Sequence, residues 1–116
     1  MIEKPFRANV FDRNCPSRLI LAALADKWSL LTIDALSSGP IRTGELRRRI
    51  DGISQKMLTE TLRKLEGMGL VHRKARQTIP PHVEYSLTEQ GRELCKLVNR
   101  IDRWVEEHLS EMTCRH

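Results

Sequence analysis

Aromatic residues are nearly missing from this chain: two Trp, one Tyr and two Phe make up 4% of its 116 residues. A core built from it must rest on Leu, Ile, Val, Ala and Met. No apolar run approaches the roughly 18 residues needed to cross a bilayer. The opening MIEKPFRANVFDRN carries acids and lacks the apolar segment of a secretory leader. A cytoplasmic protein with no membrane partner is expected. Cysteine is scarce as well. Cys15, Cys95 and Cys114 are odd in number and far apart, which argues against a disulfide framework. No CxxC, CxC or HxxxH spacing offers a zinc site, so neither a metal nor a cofactor is expected. His72, His82, His108 and His116 do not cluster, and no Ser/His/Asp, Cys/His or paired-acid arrangement stands out. A phosphate-cradling glycine loop is absent too. The chain does not read as an enzyme.

What it does have is charge, unevenly placed. Between Arg42 and Arg76 lie ten basic and four acidic residues, a net of +6, whereas the whole chain carries +5. A neutral scaffold with one basic block is the electrostatic footprint of a polyanion binder. At 13.4 kDa the length suits one domain over 1–116.

Inside the block, GISQKMLTETLRKLEGM from Gly52 to Met68 is amphipathic at the roughly 100° per residue of a helix. Met57, Leu58, Thr61, Leu62, Leu65 and Met68 share one side. Lys56, Thr59, Arg63 and Gly67 share the other, with Gln55 and Glu60 at its edges. Ser54 is placed as the N-cap, with Met57 where a capping box would have Glu. Gly67 and Gly69 mark the far end. An ordinary solvated helix would look the same in isolation; its neighbours decide the matter.

Residues 1–14 read as an arm that packs on a partner through Phe6, Val10 and Phe11. Cys15-Pro16 opens a helix striped with Leu19, Ile20, Ala23 and Leu24. The Asp26-Lys27 pair interrupts it, and a second helix runs from Trp28 to Leu36, stopped by Ser37-Ser38-Gly39-Pro40. Ile41-Arg42 makes a short strand, after which Thr43 caps a brief helix carrying Arg47, Arg48 and Arg49 at its end. Two short helices joined by a tight Gly-containing turn over 43–68 form a helix-turn-helix pattern. A hairpin over 70–87, with Pro80-Pro81 at its tip, follows as a wing. The last helix, 88–110, carries Leu94, Leu97, Ile101, Trp104, Val105 and His108 in a stripe that a domain this small has little chain to cover. Exposed apolar stripes mark partner surfaces, so the first and last helices are read as dimerisation helices. Cys95 is placed on the polar margin of that helix, and the tail from Met112 is expected to fray.

Taken in order, Cys15-Pro16, Lys27-Trp28-Ser29-Leu30-Leu31, Gly44-Glu45-Leu46-Arg47-Arg48 and Gly52-Ile53-Ser54 with Leu58, Thr59, Leu62 and Leu65 resemble the HxlR family. Gly69-Leu70-Val71, Pro80-Pro81-His82-Val83-Glu84-Tyr85 and Ser86-Leu87-Thr88-Glu89-Gln90-Gly91 do the same. Thr43 departs from the family pattern, which often has Phe there. The resemblance implies an α+β, mainly α fold: a winged helix-turn-helix DNA-binding domain with N- and C-terminal dimerisation helices. It implies a homodimeric transcription regulator that binds a pseudo-palindromic operator in double-stranded DNA. Carried onto this sequence, it makes Ser54, Gln55, Lys56, Thr59 and Arg63 the groove-facing set. Gln55 and Arg63 suit base edges, and Ser54, Lys56 and Thr59 suit phosphates. Lys74, Arg76 and His82 would place the wing on the DNA. Arg47, Arg48 and Arg49 project in three directions and only partly face a duplex.

Cys15 sits where a helix begins, a position that favours the thiolate. Family members that sense oxidants or electrophiles through a cysteine at the matching position imply a small reactive effector. A buried, inert capping residue is the other reading. The remaining alternatives are a ligand-responsive regulator without a cysteine switch and a winged-helix protein-interaction module.

Overall fold

A computed structural model describes residues 7–113. The elements run α1 (Pro16–Leu24), α2 (Lys27–Ala35), a 3-10 turn (Leu36–Ser38), β1 (Ile41–Arg42), α3 (Thr43–Arg49), α4 (Gln55–Gly67), β2 (Val71–Arg76), β3 (His82–Leu87) and α5 (Glu89–Thr113). The three strands form one antiparallel sheet in the order β1-β3-β2.

The core is aliphatic, as the aromatic poverty requires. Ile33 and Leu36 from the second helical stretch meet Leu46 from α3, Leu58, Leu62 and Leu65 from α4, and Val98 from α5. Leu70, Val71 and Leu87 close it from the base of the hairpin. Leu58, Leu62 and Leu65 are essentially fully buried. At roughly 2 kcal/mol for each, they fix which face of α4 turns inward and therefore which face turns out.

Both ends of α4 are chemically defined. Ser54 Oγ accepts the Met57 N–H at 3.0 Å, the N-cap expected from sequence. At the other end Gly69, with φ of +76°, takes the left-handed position. Its N–H donates to Glu66 O and the Leu70 N–H to Leu65 O, both at 3.0 Å, which is a Schellman closure. Gly67 is simply the last helical residue.

Several sequence expectations are corrected. Asp26 does not merely interrupt a stripe; its carboxylate caps α2, accepting Ser29 N–H at 3.0 Å and Ser29 Oγ–H at 2.7 Å. Asp before an apolar run was the signal for it. Thr43 caps nothing: it is the first helical residue of α3, and Arg42 holds the cap position without a side-chain bond. The last helix continues past Ser110 to Thr113, because no Gly or Pro after Gly91 stops it. Its start is as expected, with Thr88 Oγ1 accepting Gly91 N–H at 3.1 Å. Cys95 lies in the core, not on a polar margin, with its thiol 3.6 Å from Ile33 O. Val98 likewise faces the chain's own core. Of the arm contacts, Phe6 lies outside the described residues, while Val10 and Phe11 are exposed.

Where α5 crosses α2, three acids meet. Burial, Asp102 and Glu106 together push Asp34 up to about 6. Its ionised form therefore opposes the folded state. That cost is absent below the ordinary carboxylate range and full above about pH 6, so this contact is firmest in acid.

Candidate nucleic-acid interface

The outward face of α4 carries Gln55, Lys56 and Arg63, all exposed, with Ser54 at its head and half-buried Thr59 between them. Gln55 Nε2 donates to Thr59 Oγ1 at 3.2 Å, one turn along. Polar donors thus form a continuous strip on a rod whose opposite side is anchored in leucine.

Two other cations of the basic block turn away from that strip. Lys64 Nζ donates to Ala23 O and to Asp26 Oδ2, each at 2.6 Å, tying α4 to the junction of α1 and α2. Arg49 donates to Ala35 O at 3.2 Å and to Ser38 Oγ at 2.8 Å, so it belongs to the scaffold. Arg47 and Arg48 remain exposed. Of the arginine trio, Arg49 is thus the one held against its own chain.

The wing places its charges by strand register. Arg42 on β1 and Lys74 on β2 both stand opposite Glu84 on β3, so the three share one face. Arg76 pairs with His82 two residues along, on that same face. Lys74 is exposed, but Arg76 and His82 are engaged with Glu84. Arg76 Nη2 lies 3.1 Å from Glu84 Oε1, and His82 Nε2 lies 3.2 Å from Glu84 Oε2. His82 first, then Arg76, holds the Glu84 carboxyl below its usual range. Arg42 was read from sequence as the edge of a basic block and part of a short strand, with no partner assigned. Its place across from Glu84 depends on pairing between strands some forty residues apart, which no local pattern shows. Beside it a cleft of about 570 Å³ opens between the start of α3 and the wing, lined by Arg42, Thr43, Gly44, Glu45, Arg48, His82 and Val83.

Away from this face, α1 has no buried residue, and Leu19 is 70% exposed. On α5, Leu97, Ile101, Trp104, Val105 and Leu109 are exposed as well. Leu94 instead packs at the margin of the core. His108 is half-buried and stacks on Trp104 with ring centroids 4.7 Å apart, its Nδ1 2.8 Å from Trp104 O.

Cys15 is buried at the N-cap of α1, beneath the turn formed by residues 9–14. The Asn9 N–H donates to its Sγ at 3.3 Å, and Ser17 Oγ lies 3.0 Å away. These contacts, the Asn9 N–H foremost, lower the thiol's pKa against desolvation and the nearby Asp12.

Two short helices at a tight turn, an outward polar rod and a following β-hairpin define a winged helix-turn-helix protein. The chain belongs to the HxlR-like helix-turn-helix family, whose pattern it matches over residues 23–113. It is 41% identical over 104 residues to YtfH of Escherichia coli (strain K12), an uncharacterized HTH-type transcriptional regulator, covering 90% of this chain and 82% of that one. The structure of the transcriptional regulator YtfH from Salmonella typhimurium superposes with a TM-score of 0.87 at 37% identity, over 94% of this chain and 97% of the other. The redox regulator HypR in its oxidized form superposes with a TM-score of 0.73 at 41% identity, over 80% and 96%. Its relatives are regulators of transcription rather than enzymes. Among the described residues no helix is long and apolar enough to cross a membrane.

Proposed function

We propose that this chain is a homodimeric, sequence-specific DNA-binding regulator of transcription. The observation that carries the reading is the α4 rod: its apolar side is buried, and its Gln55, Lys56 and Arg63 side stands free beside a basic wing. Gln55 and Arg63 read base edges through bidentate bonds in the major groove, while Ser54, Lys56 and Thr59 hold phosphates and fix the register. Lys74, Arg76 and His82 bring the wing onto the flanking backbone. Two copies joined through α1 and α5 present two such rods, which calls for a pseudo-palindromic operator.

The test uses a duplex selected from a random library and an unrelated duplex of equal length. Arg63→Ala is expected to weaken the selected duplex by about 1–3 kcal/mol and to leave the unrelated one little changed. Lys56→Ala is expected to weaken both alike. Equal losses on the two duplexes for Arg63→Ala would assign that residue to phosphate alone.

Cys15 supports a second layer, a response to oxidants or electrophiles. The hydrogen bonds that favour its thiolate support this reading, as does the likeness to a protein described as a redox regulator. Because the thiol is buried, a reagent reaches it only as the turn over residues 9–14 lifts, and a modified sulfur keeps that turn from closing. Diamide or peroxide is expected to change duplex affinity at least several-fold in the wild type and not in Cys15→Ser. An equal response in both proteins removes Cys15 from the role, and no response in either leaves a ligand-responsive regulator without a cysteine switch as the reading.

A further inference from the structure

The wing holds one acid at the centre of its basic face. Glu84 is flanked across the sheet by Arg42 and Lys74, with Arg76 and His82 in the next row. Its two oxygens are both engaged: Oε1 by Arg76 through Nε at 3.2 Å and Nη2 at 3.1 Å, Oε2 by His82 Nε2 at 3.2 Å. The carboxylate is the less exposed partner in its pair with Arg76, at 23% against 42%.

Thr78 Oγ1 donates to Pro80 O at 2.8 Å, since a carbonyl oxygen only accepts. His82 Nδ1 lies 3.0 Å from that same hydroxyl, which holds the far side of the ring. Nε2 faces the carboxylate, where an N–H is the group that bonds it. Glu84 is thus met by the Arg76 guanidinium on one oxygen and by His82 Nε2 on the other, with Arg42 and Lys74 beside it across the strands.

A planar oxyanion held by a guanidinium and an imidazole N–H, with further cations around it, has the chemistry of a bound phosphate. We propose that the Glu84 carboxylate occupies the place of a DNA backbone phosphate, and that a duplex docks on the wing by displacing it from Arg76 and His82. This rests on the DNA-binding reading above and adds a device to it. In the free protein Glu84 keeps Arg76 and His82 extended in one geometry. In the complex it is an internal competitor that lowers affinity for every duplex, whatever its sequence, because phosphates carry no sequence information. Glu84→Gln keeps the size and a hydrogen-bonding oxygen but removes the competing charge.

The experiment measures duplex affinity at about 0.1 M salt for the wild type, Glu84→Gln, Arg76→Ala and the double variant, on selected and unrelated duplexes, with circular dichroism confirming the fold of each. Glu84→Gln is expected to tighten both duplexes about three- to tenfold. The gain is expected to vanish largely in the Arg76→Ala background, because the freed guanidinium is what the phosphate meets. As a measurement independent of any variant, the Glu84 side-chain carbon resonance in the wild type is expected to shift on saturation with DNA as its two partners leave. Wild-type binding with no gain in Glu84→Gln, a gain that survives Arg76→Ala, or an unmoved Glu84 resonance each overturns the inference while leaving DNA binding intact. A wild type that binds no duplex at low salt overturns both.

Discussion

Trp104→Asp is expected to turn a dimer into a monomer. Trp104 is 53% exposed on α5, in line with Leu97, Ile101 and Val105, and stacks on His108 of its own chain. In a two-fold assembly the patch meets itself, so one substitution acts twice. Each copy loses the burial of a large aromatic surface, roughly 2–3 kcal/mol, and gains a carboxylate that must be desolvated or drive the seam apart. Together these exceed about 5 kcal/mol, which weakens dimerisation by roughly four orders of magnitude. Because Trp104 lies outside the chain's own core, the fold should survive, and circular dichroism should show it. Operator affinity should then fall by about a hundredfold or more, since a monomer reaches one half-site and loses the intramolecular second contact. Sedimentation reads the first effect and duplex titration the second. A Trp104→Asp protein that remains a dimer at micromolar concentration places the seam elsewhere.

Gly91→Ala should be among the most damaging single changes of this fold. Gly91 lies in the first turn of α5, and a Cβ there would overlap Leu70 O and approach Leu87 Cδ2 at 3.2 Å. The backbone of Leu70 cannot yield easily. Its oxygen accepts the Thr88 N–H at 3.0 Å, and Thr88 Oγ1 donates to Gly69 O, so the end of α4 and the start of α5 are stitched together at this point. Helix propensity alone would favour alanine by about 1 kcal/mol. Overlap with fixed backbone should outweigh that and leave a net loss of about 3 kcal/mol. For a chain of this size that lowers the melting temperature by roughly 12 °C at fixed protein concentration. A change of only a few tenths of a kcal/mol would show that α5 can shift off Leu70 freely.

The elements that positioned the interface were legible in the sequence because their signals are local. The 3.6-residue spacing of Leu58, Leu62 and Leu65 and the hydroxyl of Ser54 place α4 within a residue of where it lies. The Pro80-Pro81 tip and the alternation of Val83, Tyr85 and Leu87 place the hairpin. What failed involved partners distant in the chain. Cys95 looks peripheral on a helical projection, but it is buried in the core where α2 approaches, its thiol 3.6 Å from Ile33 O. Lys64 counts as one more cation of a basic block until Asp26, thirty-eight residues earlier, claims it. Glu84 reads as one residue of a family signature until two neighbouring strands bring Arg42, Lys74 and Arg76 to the His82 and Glu84 face of β3. Thr43 shows the opposite failure, a good capping residue displaced by one position because strand β1 delivers Arg42 at the cap.

The division of the basic block is the part with functional weight. Lys64 and Arg49 hold α4 and α3 to their neighbours, so their loss should loosen the fold rather than an interface. Lys56 and Arg63 have no such ties among the described contacts and point outward from a rod that its own leucines hold still. That separation lets one short helix be rigid on one side and adaptable on the other, as a groove-reading element needs.

Titration of the unmodified protein with duplex DNA across a salt series tests this most directly. The expectation is tight binding at low ionic strength that weakens linearly on a log–log plot, with a slope of about −0.9 for each phosphate contacted and a total steeper than about −4 for two rods and two wings. A protein without affinity for any duplex at low salt, or one whose affinity is indifferent to salt, would contradict it.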